Sequence, residues 1–143
     1  MERVIKYIVL HTTATPTTAT VEGIKRYWRE NLGWKRVGYH AIIKRSGKVE
    51  HLAPLNEITN GVKGHNHDSI HISYIGGIDQ GNKPIDNRTR EQMDTMYFLI
   101  KGLLKIYPDA EVIGHRDFKG VAKACPCFNA KEWYENYTPY FTA

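Results

Sequence analysis

The sequence predicts an α/β fold: one domain, residues 1–143, built on a mixed central β-sheet flanked by helices. Short apolar runs such as Tyr7-Ile8-Val9-Leu10 alternate with stretches of helical periodicity. The clearest of those stretches carries Met93, Met96, Tyr97, Ile100, Leu103 and Leu104 as one stripe. The length suits a single proper core, and no repeat, linker or low-complexity tract divides it.

Each element has its own signal. Residues 4–10 are apolar and β-branched, which predicts a buried strand. The Thr/Ala/Pro-rich stretch from Thr12 to Thr20 predicts a loop. A helix follows from about Val21 to Asn31, with Thr20 as N-cap, with Ile24, Tyr27, Trp28 and Leu32 on one face, and with Gly33 as its stop. Residues 38–44 and 47–53 predict two strands joined by the turn Arg45-Ser46-Gly47-Lys48. Ile70 to Ile75 predicts a central strand, ended by Gly76-Gly77, and the polar stretch to Asn87 a surface loop. Thr89-Arg90-Glu91-Gln92 is a capping-box pattern that opens the Met-bearing helix, and Pro108 stops it. That stripe predicts core packing. A strand at 111–114 and a short amphipathic helix with Trp133 and Tyr134 complete the fold.

Three candidate metal ligands stand at the ends of these elements. His11 closes the first apolar run, His115 closes Glu111-Val112-Ile113-Gly114, and Cys125 follows ten positions later. Two imidazoles and a thiolate are three ligands. A closed structural zinc site needs four, whereas three leave a position open for water, as in hydrolytic zinc enzymes. Residues this far apart converge only in the folded domain. Spacing alone leaves the other reading open, because most of the seven histidines in a chain of this size serve the surface or the packing.

The two cysteines, 125 and 127, are too close in sequence for an unstrained disulfide. Cys127 is either a further ligand or a small packing residue, with packing favoured. On a strand Tyr39 and Ala41 share one face and His40 and Ile42 the other. If Tyr39 points at the metal, His40 packs behind it. His65 and His67 lie in a polar loop and are expected to line a groove. His51 and His71, at strand positions, are expected to be structural. Arg116 and Asp117 are expected to brace the metal loop, and Asp117 is also a candidate acidic partner for a zinc-bound imidazole.

The residues also resemble a family. Ile8-Val9-Leu10-His11-Thr12-Thr13-Ala14-Thr15, Val37-Gly38-Tyr39-His40-Ala41-Ile42-Ile43, Gly64-His65-Asn66-His67-Asp68-Ser69-Ile70, Gly76-Gly77-Ile78-Asp79, and Gly114-His115-Arg116-Asp117 with Lys123-Ala124-Cys125-Pro126 appear in order over nearly the whole chain. Together they resemble the zinc-dependent N-acetylmuramoyl-L-alanine amidases of the phage-lysozyme and peptidoglycan-recognition type, in particular the phage enzymes with Cys as third ligand.

The resemblance implies zinc on His11, His115 and Cys125, with Tyr39 and Lys123 as catalytic side chains. It also implies hydrolysis of the amide between N-acetylmuramic acid and L-alanine in bacterial peptidoglycan. Read without the resemblance, Lys123 is an ordinary solvated lysine. One position departs from the pattern: phage relatives often carry a substrate-side His where this chain has Gly61. Two other functions go with the same resemblance: a non-catalytic peptidoglycan-binding module, and a phage amidase that also inhibits an RNA polymerase. The complete ligand set favours the enzyme, and no residue marks a polymerase surface.

The net charge of +5 is spread along the chain without a dense basic cluster. Nucleic acid is therefore not the expected partner, and the charge equally suits the anionic polymers of a bacterial wall. No run approaches the ~18 apolar residues of a membrane span. Met1-Glu2-Arg3-Val4-Ile5-Lys6 lacks a secretory apolar region. A monomer made in the cytoplasm, acting on the wall after release or export, is expected.

Overall fold

In the computed structural model, which describes residues 3–141, β1 (Tyr7–Thr12) lies between two parallel neighbours. These are β4 (Ser69–Tyr74) and β5 (Glu111–Gly114). Beyond β4 lie β2 (Ala41–Ile43), parallel to it, and β3 (Val49–His51), antiparallel to β2. The order β3-β2-β4-β1-β5 makes one mixed five-stranded sheet, with helices α1 (Val21–Glu30), α2 (Arg90–Ile106) and α3 (Ala130–Asn136). This is the α/β architecture expected.

The alternation of side chains along β1 and β4 decides where the chemistry sits. Ile8 and Leu10 of β1, with Ile70, Ile72 and Tyr74 of β4, pack against Met96, Ile100 and Leu103 of α2 and Ala130 of α3. The intervening residues point to the other face. There a core of Val21, Ile24 and Trp28 from α1 closes on Ile42 and Ile75. That second face also carries His11, His71 and Ser73, all buried. Buried polar side chains on an apolar sheet are the informative exception to the rule that such residues stay outside.

The helices begin as their sequences dictate. The Thr20 hydroxyl accepts the Gly23 N–H at 3.0 Å and caps α1. Thr89 and Gln92 form the full capping box of α2. On α1, Ile24 and Trp28 are buried, but Tyr27 and, just past the helix end, Leu32 are 52% and 43% exposed, because they face an open cleft instead of the core.

Four strands differ in extent from expectation: β3 covers only Val49–His51 of 47–53, and β4 starts and ends one residue earlier than Ile70 to Ile75. β1 runs on through Thr12, whose partner in the register is Tyr74, while Val4 is exposed. β2 covers only part of the predicted 38–44. The chain around Gly38 is drawn against α1, where a Cβ would meet Trp28 at 2.8 Å. Among the described residues no helix is long and apolar enough to cross a membrane.

Candidate metal centre

His11 is the penultimate residue of β1, His115 follows β5 directly, and these two strands are adjacent and parallel. Parallel pairing therefore brings the two imidazoles together, with ring centroids 4.9 Å apart. Cys125 arrives on the segment after β5. The Arg116 N–H donates to the Cys125 carbonyl at 2.8 Å, and the Tyr74 hydroxyl donates to the Pro126 carbonyl at 2.8 Å. Gly114 leaves the space, since a Cβ there would meet Pro126 Cδ at 2.6 Å.

The result is one cluster. A ligand atom from each of His11, His115 and Cys125 lies within 4.8 Å of the other two. Cys125 Sγ is 3.7 Å from His11 Nδ1. With Zn–N near 2.0 Å and Zn–S near 2.3 Å, a tetrahedral ion separates two such donors by about 3.6 Å. The Thr12 N–H donates to Cys125 Sγ at 3.2 Å, the kind of contact that steadies a thiolate. Among the described residues, no fourth His, Cys, Asp or Glu joins the group.

Electrostatics suit a cation. Burial, then the neighbouring His71, His115 and Lys123, holds His11 well below the ordinary imidazole range. Burial, then Lys123, lowers His115 to about 4. Both rings are neutral at pH 7, with lone pairs to give. Burial pushes the Cys125 thiol up to about 12, against the Thr12 N–H and Lys123, which favour the thiolate. Only a strong local positive charge deprotonates it near neutrality, which a bound divalent metal supplies. The donor set therefore fits zinc.

The cluster opens into a cleft of about 1060 Å³. One wall is apolar: Trp28 stacks on Trp34, with centroids 6.2 Å apart, and meets Tyr39 edge-on at 5.5 Å. Tyr39 sits beside His11 at 4.9 Å, and its hydroxyl donates to the Thr12 carbonyl at 3.4 Å. Burial raises its phenol pKa further above neutrality, and the adjacent Cys125 adds to this. Tyr39 is thus protonated at physiological pH. Lys123, exposed, lines the same cleft with His115 and Cys125.

Other candidates fall elsewhere. Cys127 Sγ turns to the Gly77 carbonyl at 3.6 Å, outside the ligand group. His40 packs behind Tyr39, its Nδ1 accepting the His71 N–H at 3.0 Å. His65, expected to line the groove, instead stacks on Phe118 at 4.2 Å, and the side chain of His67 is exposed beside Asp68. His51 is exposed on β3. Asp117 accepts the Gly114 N–H at 2.7 Å and so braces the backbone of the loop. Its carboxylate makes no hydrogen bond to the His115 ring.

The sequence reading missed His71. Its Nδ1 lies 2.8 Å from His11 Nε2, the nitrogen of His11 that faces away from Cys125. The only local sign was a histidine inside an apolar strand.

A model of the N-acetylmuramoyl-L-alanine amidase family matches residues 1–128. The chain belongs to that family. The amidase is 38% identical over 130 residues to the endolysin of Klebsiella phage KP32, covering 90% of this chain and 84% of that one. Its fold superposes on the endolysin of Thermus scotoductus bacteriophage Ph2119 with a TM-score of 0.75 and 30% identity, over 88% of this chain and 79% of that chain. The fold is shared too by the amidase LysC of Clostridium intestinale, with a TM-score of 0.77 at 23% identity over 93% and 84% of the two chains. Amidases of this family generally depend on zinc.

Proposed function

We propose that this amidase hydrolyses the bond between the lactyl group of N-acetylmuramic acid and L-alanine, with zinc held by His11, His115 and Cys125. The observation that carries the reading is a three-donor cluster at the floor of an open cleft. Zinc bound there supplies a Lewis acid and lowers the pKa of its water from 15.7 toward about 7.

The rest is the work of side chains. The protonated Tyr39 hydroxyl positions the attacking water, or passes its proton to the leaving amine and takes back the one that water loses. Its 3.4 Å bond to Thr12 is long and is readily exchanged for substrate. The Lys123 ammonium, on the cleft wall, places positive charge where the tetrahedral oxyanion develops. A thiolate ligand donates more charge than imidazole, so this second cation complements a milder Lewis acid. Trp28, Trp34, Tyr27 and Leu32 offer an apolar surface for the wall fragment.

Defined peptidoglycan digested with the enzyme should give peptides with a free L-alanine amine and intact glycan strands, read by mass spectrometry. New reducing sugar ends, or cleavage within the stem peptide, would contradict the reading.

A further inference from the structure

His11 does not stand alone under the metal position. Its Nε2 is 2.8 Å from His71 Nδ1. His71 Nε2 is in turn 2.8 Å from Asn66 Oδ1, and the Val62 N–H donates to that same oxygen at 2.7 Å. We propose that His71 is a positioning residue, the middle of a relay from Asn66 that fixes the tautomer of His11 and presents its Nδ1 to the metal.

The direction of each bond follows from one end. A backbone N–H can only donate, so the Asn66 atom it meets is the carbonyl oxygen, which only accepts. The other group on that oxygen, His71 Nε2, therefore carries a hydrogen. His71 is buried and its Nδ1 holds the lone pair. That lone pair accepts from His11 Nε2–H, which leaves the His11 lone pair on Nδ1, the atom 3.7 Å from Cys125 Sγ.

The relay is held from behind. Arg3 Nη1 donates to the Asn66, His67 and Ser69 carbonyls at 3.2–3.3 Å. His40 Nδ1 receives the His71 N–H, and the His40 N–H donates to the His71 carbonyl at 2.9 Å. Gly61 makes room, because any Cβ there would overlap the His71 ring. This gives a physical reason for glycine at that place. Metal-bound imidazoles usually donate to a carboxylate, carbonyl or water. A neutral imidazole orients the ligand as well and adds no negative charge to a centre that already has a thiolate.

The inference rests on the proposed metal site but is read separately from it. Long-range ¹H–¹⁵N spectra of the zinc-loaded protein should show His11 and His71 both protonated at Nε2, and the same tautomers after zinc is stripped. Zinc on His11 Nε2, or a proton on His71 Nδ1, would overturn the relay while leaving a zinc enzyme intact. Failure to take up zinc at all would sink the metal reading, and the stripped-protein spectra would still decide the relay. Variants add an independent arm, with chelator competition as the readout. His71→Leu, apolar and without an acceptor, should weaken zinc binding about 10–100-fold. His71→Asn, which returns an acceptor near the Nδ1 position, should recover most of that loss. Equal affinity for the Leu variant and the wild type would overturn the relay.

Discussion

His11 and Cys125, 114 residues apart in sequence, bring Nδ1 and Sγ to 3.7 Å in the folded chain. The contact depends on both the parallel β1/β5 pair and the return of the segment after β5. Metal binding at the proposed site would therefore be coupled to the integrity of the fold.

Removal of single ligands tests the set. His11→Ala and His115→Ala should each lower zinc content from about one ion per chain to near zero by elemental analysis, and activity with it. Cys125→Ser should lose zinc affinity, while Cys127→Ser should keep it, since Cys127 Sγ faces the Gly77 carbonyl. The reverse result for the two cysteines would make Cys127 the ligand.

Zinc uptake should release about one proton near pH 6, below the range in which zinc-bound water ionises. Before metal arrives the Cys125 thiol is held at about 12 and is protonated, whereas His115 at about 4 and His11, also lowered, have none to give. Affinity therefore rises with pH until the free thiol itself ionises. Calorimetry in buffers of different ionisation enthalpy counts the proton, and Cys125→Ala should bring the count close to zero.

Tyr39→Phe and Lys123→Ala should retain zinc and thermal stability. Each should lose about 10²–10³ in kcat, the usual cost of one donor to a developing oxyanion, with little change in KM. Near-wild-type kcat in both would leave the metal as sole catalyst.

Gly114→Ala should weaken the site from a distance. Its methyl group would press on Pro126 Cδ at 2.6 Å and push the Cys125 segment away from His11. Lower zinc affinity with a largely unchanged circular dichroism spectrum is the expected outcome, and unchanged affinity would mean that the segment yields freely.

Much of this was legible in the chain. Thr20 and the Thr89/Gln92 pair cap helices where local chemistry says they should, because caps depend on neighbours in sequence. The two proposed histidine ligands stood out because each closes an apolar run in the sequence. His71 did not, since its role arises from the β1/β4 register, which sets it opposite Val9 and diagonally from His11. No local pattern encodes that register. His65 was misplaced for a similar reason. It belongs to a polar loop, but Phe118, 53 positions away, offers its ring a partner.

X-ray absorption at the zinc edge of the loaded enzyme tests the open three-ligand site most directly. The account predicts one sulfur at about 2.3 Å and three nitrogen or oxygen neighbours at about 2.0–2.1 Å, the last of them exchangeable water. Two sulfurs, or none, would contradict it.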